Sequence, residues 1–499
     1  MDNPKAPHPR SAAEEKKKIR DSMEASVKDG CAWSVMDGIG TQYMTPFAYA
    51  MNAGEVEIGF LTSIPQLVSS FIQPVGARLA HKWSRKQLVV LSAFVQALMW
   101  IPILLIPFVF GNGAKLVFFF SLVALFGSIL VPAWTSMMGD LVPQHERGAY
   151  FGRRNKISVF VTVVSSILAA FILYFFRNYS DNVFYGFSVL FFIAFLARVV
   201  SGYYLNRMHE PHREVEEHYV SFMQFFKRVR KESFGNFLIY IGLINFTTQV
   251  AGPFFTLFAL KTLGFDYIQY AIMFLVVPPV ARMFSMPYWG RLGDFFGNKA
   301  IISITGMLVP VVPLLWLISQ DFYFLLVVQV LAGFVWAGFE LAAFNYLLDA
   351  TPRNRASYVA HYNVVNGFAI FMGASIGGFI AAFLVSSGVS ILWWHGLLLL
   401  FGLSGILRLL VSLAMIPKLK EIRGGKTVSE HLIFWKVVAE YPARGIVQEF
   451  SDGWTNLAVF SRRIRDKTIS IDEHIRTRVG NGIKKNVERI GKHIPEELK

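Results

Sequence analysis

Apolar residues fall along this chain in long blocks, not in short alternations. Twelve blocks approach the roughly 20 residues that a helix needs to cross a hydrocarbon core. They run over about 31–52, 57–77, 87–110, 116–138, 157–176, 184–206, 234–260, 268–289, 300–319, 322–347, 358–385 and 391–416, and are numbered here as stretches 1 to 12. Around them the pattern changes. Residues 1–30 form a charged lead, 208–233 a charged linker and 417–499 a polar tail. The chain therefore reads as an all-α integral membrane protein. Its parts are an N-terminal lead at 1–30, a six-helix bundle at 31–207, a linker at 208–233, a second six-helix bundle at 234–416 and an amphipathic tail at 417–499. The first stretch is too long and too polar for a signal peptide, and no cleavage-site pattern follows it.

Composition sharpens this reading. Hydrophobic residues make up 54% of the 499 and charged ones only 16%, against roughly 25% charged in soluble proteins. Disorder, collagen-like repeats and a disulfide scaffold are excluded, and Cys31 alone cannot form an internal disulfide. The net charge of +15 would suggest nucleic acid in a soluble protein. Here the bases lie between apolar blocks. One set of connections holds Arg78, Lys82, Arg85, Lys86, Arg147, Arg153, Arg154, Lys156, Arg291, Lys299, Arg353 and Arg355, while the alternate set holds Lys115, Arg177 and Lys261. The positive-inside bias then predicts both termini and the linker in the cytoplasm, with a plasma-membrane location.

The two halves repeat. Pro65, Pro74 and Ala77-Arg78-Leu79 recur at Pro278, Pro287 and Gly290-Arg291-Leu292, each 213 residues later. Gln42, Pro46 and Phe47 recur at Gln249, Pro253 and Phe254 with an offset of 207. Asp140 and Pro143 recur at Asp349 and Pro352, and Arg198 at Arg408, with offsets of 209 and 210. Ordered matches with slowly drifting offsets predict two pseudo-symmetric bundles related by an axis along the membrane normal, with a site between them.

These residues resemble the major facilitator superfamily. Gly290-Arg291-Leu292-Gly293-Asp294-Phe295-Phe296-Gly297-Asn298-Lys299 fits that family's loop motif. The first-half copy, Ala77 to Lys86, departs from it: His81 replaces the carboxylate and Ser84 the second glycine. Asp140…Arg147-Gly148 and Asp349…Arg355 are similar to the family's loops after stretches 4 and 10. The resemblance covers about 31–416 and names no substrate. Stretch 5 lacks the Gly-Pro signature of antiporter subfamilies, which counts against a drug/proton antiporter. The motif residues Gly290, Arg291, Asp294, Gly297, Arg78, His81, Arg85, Asp140, Arg147, Asp349 and Arg355 become candidate gating groups, because carboxylates hold helix N-termini and bases hold C-termini.

A charge inside a membrane costs at least ~2.5–3.5 kcal/mol on insertion scales, so it pairs or faces water. Glu340 and Arg282 sit at similar depth, roughly 12–13 Å from one membrane face on a 1.5 Å rise, and can pair. Asp37 is the other intramembrane acid. The resemblance implies that stretches 1, 4, 7 and 10 line a cavity, which makes Glu340, Asp37 and Arg282 proton-coupling candidates. Gln42, Asn245, Gln249, Asn345, Trp134 and Phe254 are substrate-cavity candidates. Arg198 and Arg408 fall on stretches that the resemblance makes peripheral, and read as snorkelling structural residues.

His209, His212 and His218 in the linker have a metal-like spacing but sit among glutamates, so a solvated linker is the preferred reading and no metal or other cofactor is expected. No phosphate-binding glycine loop supports an ATP-driven pump. In the tail, Leu432, Phe434, Trp435, Val438 and Tyr441 interleave with Lys436 and Arg444, a pattern suited to a lipid surface or a cytosolic partner helix. The expected function is a secondary active transporter for a small solute, working by alternating access with proton coupling and acting as a monomer. It needs membrane lipid and no nucleic acid. The alternatives are a membrane-embedded lipid-modifying enzyme and a transporter-like sensor signalling through its tail.

Overall fold

The computed structural model describes residues 9–422 apart from 112, 144, 181, 212–232, 351–354 and 392. The regular structure of the described residues is helical except for a hairpin with two residues per strand, Ser390–Ile391 against Trp394–His395. Long apolar runs become helices because a helix satisfies its own backbone polar groups where no water can. Ten of the described helices are long and apolar enough to cross a membrane, and they correspond to stretches 3 to 12. Stretches 1 and 2 are helical as well but more polar. The helix Glu55–Lys82 carries Gln66, Gln73, Pro65 and Pro74 within its central part.

Stretch 1 differs most from expectation. Its helix starts at Pro9 and runs to Ile39, so the boundary drawn at residue 30 falls inside a helix. Ser22, Ala25, Ser26, Asp29 and Gly30 are buried on one side of that helix. The spacing of these small residues is helical, and a small-residue face lets neighbouring backbones approach. After Ile39 the helix breaks at Gly40 and resumes at Met44–Ala50. Stretch 12 is corrected at its start, since the hairpin occupies 390–395 and the helix begins at Leu397.

The halves share a packing plan. Stretch 1 packs on 5 and 6, stretch 2 on 4, and stretch 3 on 4 and 6. Stretch 7 packs on 11 and 12, stretch 8 on 10, and stretch 9 on 10 and 12. Between the halves, stretch 2 lies along 11, and stretch 5 meets the first part of stretch 8. Glycines permit the tightest approaches. A Cβ on Gly377 would lie 2.2 Å from the Val250 carbonyl oxygen, and one on Gly373 would lie 2.3 Å from that of Phe246.

At one end the halves are sealed together. Lys261 Nζ meets Glu55 Oε1 at 2.7 Å. The Tyr270 hydroxyl donates to the Gln42 carbonyl at 2.6 Å, and its ring stands edge-on to Tyr43 at 5.6 Å. Tyr267 packs edge-on against Phe187 at 5.8 Å.

Candidate functional site

The candidate gating residues gather at the opposite end, and most of the motif is helix. Gly290 to Phe296 complete the helix Val277–Phe296, and only Gly297, at φ +90°, makes the turn. The first-half copy likewise stays in the helix Glu55–Lys82 up to the break at Trp83. Arg78, Arg291 and Asp294 are exposed on these last turns and Gly290 is half-buried. The side chains of His81 and Arg355 lie outside the described residues.

Each half builds a latch on the helix that follows. In the first half Arg85 is 3% exposed and bonds Asp140 at 2.6 Å, Ser136 at 3.0 Å and the Pro211 carbonyl at 2.9 Å. Glu210 accepts from the Arg85 amide at 2.8 Å and from the Ser84 hydroxyl. In the second half Asn298 stands 213 residues after Arg85 and bonds Asp349 at 2.9 Å. Glu421, 211 after Glu210, accepts from the Lys299 amide at 2.9 Å. Two acids that sequence reasoning passed over thus cap equivalent helix N-termini, where free amides and the helix dipole favour a carboxylate. Burial alone would raise the Glu210 carboxyl. Hydrogen bonds from Ser84 and the amides of Arg85 and Lys86, with the Arg85 charge, outweigh it and hold the group below its ordinary 4.5. Arg147 serves the other helix polarity, donating to the Val142 carbonyl at 3.1 Å and to that of Gly139. The linker begins on this scaffold, where the His209 amide bonds Ser22 Oγ at 2.8 Å. His212, His218 and the tail from 423 onward lie outside the described residues.

Between the two ends lie two cavities of about 230 and 270 Å³ with Phe274 in the wall of both. The larger is lined by Trp33, Asp37, Gln42, Thr162, Ser166 and Pro279, among others. Gln42 Nε2 donates to Asp37 Oδ2 at 3.3 Å. Asp37 sits near the end of the helix Pro9–Ile39, beside the Gly40 break. The smaller is lined by Thr248, Phe255, Pro278, Arg282, Trp316, Gln329, Trp336 and Arg408, among others. At its edge Arg282 and Glu340 form a two-pronged ion pair at 2.8 and 3.1 Å. Their side chains stay 39% and 47% exposed, so the pair faces open space.

The remaining cavity candidates are dispersed. Asn245 bonds Asn366 at 3.1 Å, Gln249 lies against Gly252, and Asn345 is half-buried on the helix Phe322–Ala350. Trp134 lies under the Arg154 guanidinium at 4.6 Å. Phe254 is fully buried in the core, and the cavity wall is its neighbour Phe255.

Sequence reasoning missed a buried charge cluster in the first half. Arg198 does not snorkel, being 2% exposed. It donates to Gln96 Oε1 and Ser201 Oγ, both at 2.6 Å, and Ser201 donates to Asp29 Oδ1 at 2.6 Å. Arg154 approaches the same carboxylate at 3.5 Å. The signal was present as the small-residue periodicity of 22–30, which the charge of the lead obscured.

Comparison with known proteins fits this architecture. A Lactococcus lactis subsp. lactis (strain IL1403) protein described as a multi-drug resistance efflux pump PmrA homolog is 25% identical over 67% of this chain and 81% of its own. The nucleoside transporter NupG superposes with a TM-score of 0.60 at 12% identity, covering 81% of this chain and 99% of that one. A bacterial homolog of the human lysosomal transporter Spinster, in an inward-facing unoccupied conformation, gives a TM-score of 0.55 at 14% identity, covering 81% and 94%. Such low identities speak for the fold alone. The family model described as Major Facilitator Superfamily matches residues 31–281 and 276–461. The chain belongs to the major facilitator superfamily: it is a multi-pass membrane transporter and not an enzyme.

Proposed function

We propose that this transporter carries a small solute by alternating access across twelve spans, with both chain ends and the basic latches in the cytoplasm of the cell membrane. The two polar helices of stretches 1 and 2 complete the count. The arrangement described above is then the cytoplasm-facing state, sealed outside by Lys261–Glu55 and the Tyr43–Tyr270 contact. Opening the outside breaks these contacts. The Arg85–Asp140 and Asn298–Asp349 latches hold each half together as a rigid body while it rocks.

Coupling to protons is assigned to Glu340. The observation that carries it is the two-pronged Arg282–Glu340 pair in open space between stretches 8 and 10. Arg282 favours the ionised form of Glu340. A helix shift that parts the two removes that charge and lets the acid take a proton from one side and release it on the other. Asp37, in the opposite half, is the second acid within reach of a cavity. The Lactococcus relative's description as a multi-drug efflux pump supports export of organic solutes.

The test is accumulation driven by a pH gradient in proteoliposomes, per folded transporter, using whichever solute an uptake screen returns. Glu340→Gln should abolish gradient-driven accumulation and leave exchange without a gradient. A purely structural pair predicts lower folded yield with full coupling in the molecules that fold, and that result would remove the assignment.

A further inference from the structure

The repeat makes one comparison possible that neither half offers alone. Arg198 and Arg408 occupy equivalent positions in stretches 6 and 12, and each is only 2% exposed. Arg198 has a counter-charge, since Asp29 reaches it through Ser201 and lies within its field. Arg408 has none. Its Nε donates to Ser404 Oγ at 3.1 Å and its Nη2 to the Thr248 carbonyl at 3.3 Å, both neutral acceptors. Among the described residues no carboxylate forms an ion pair with it. A buried guanidinium without a compensating anion is costly, and such a group is retained where something else supplies the charge.

The surroundings say what that is. Arg408 lines the 230 Å³ cavity. On the same wall Gln329 is 8% exposed, and its amide has no hydrogen-bond partner among the described residues. The Thr248 hydroxyl is buried and also without a partner. Arg408, Gln329 and Thr248 thus all border one cavity. The aromatic part of the wall is Phe255, Phe274, Trp316 and Trp336. Arg282, at the rim, is already neutralised by Glu340.

We propose that this cavity binds an organic anion with a flat apolar body. Its carboxylate or phosphate docks on Arg408, with Gln329 and Thr248 donating to it, and its ring lies between the tryptophans and phenylalanines. A guanidinium presents a planar fork that matches either oxyanion, and an aromatic slot with a few convergent polar groups is the usual make-up of a small-molecule site. The inference rests on the transporter reading and deepens it, giving the transported solute a negative charge.

The experiment is titration calorimetry on the purified full chain in detergent, with naphthalene-2-carboxylate, 2-naphthyl phosphate and the neutral naphthalene-2-carboxamide as probes. At least one anion should bind tenfold or more tightly than the carboxamide, and the stronger of the two tells carboxylate from phosphate. Arg408→Gln should erase that preference. Ser404→Asp gives a second route that keeps the arginine, placing an acid beside it; it too should erase the preference. Equal binding of anions and carboxamide by the wild type, or a preference surviving in folded Arg408→Gln or Ser404→Asp, would overturn the proposal. Either failure removes the anionic substrate only. Alternating access is read separately, by side-specific labelling without any ligand.

Discussion

At the scale of single residues, intramembrane charges divide by what balances them. Glu340 and Arg282 were legible as a pair because helical rise alone puts them at one depth. Asp29 was not, because it sits in a segment whose lysines and glutamates read as solvated lead. Its burial comes from a third dimension that spacing does not supply: the stretch 5 and 6 helices stand against it, bringing Arg154 and Arg198. Asp29→Asn would leave two arginines without their acid. Removing one partner of a buried pair costs about 3–5 kcal/mol, so the variant should lose several degrees of Tm and much of its folded yield. Adding Arg198→Met should recover part of the loss. A variant as stable as wild type would mean that Asp29 balances nothing.

At the scale of elements, stretches 3 to 12 coincide with helices long and apolar enough to cross a membrane, and several ends differ from the expectation. The motif between stretches 8 and 9 reads as a glycine-rich loop, yet its residues continue the helix, because a helix satisfies the backbone and only Gly297 needs a conformation forbidden to other side chains. The caps that fix these ends come from Glu210 and Glu421, residues distant in sequence from the helices they hold. Glu210 gives this a pH dependence. Its carboxyl titrates below 4.5 in the folded protein. The latch is therefore at full strength above the ordinary carboxylate range and is lost as pH falls through the lowered value. Wild-type Tm should drop between about pH 5 and pH 3, and Glu210→Gln should start lower and drop less. Parallel Tm curves for the two proteins would show that the cap contributes no acid sensitivity.

At the scale of the whole molecule, the repeat was the most informative part of the sequence. Offsets near 210 residues announced two equivalent halves, and the helix partners of stretches 1 to 6 recur among 7 to 12. What the repeat could not show was which end is closed, since that depends on contacts between halves such as Lys261–Glu55 that have no counterpart within either half. Nor could it show that the halves differ in the partners of Arg198 and Arg408.

Alternating access requires these halves to rock about the cavities and expose them to each side in turn. Gln42→Cys, in a Cys31→Ser background, lines a cavity beneath the seal. In vesicles of known orientation, a membrane-impermeant maleimide should reach it from either face. Glu55→Cys and Lys261→Cys, joined by a short reducible cross-linker, should abolish labelling from the outer face alone, and reduction should restore it. Labelling from one face only in the absence of that cross-link would contradict alternating access.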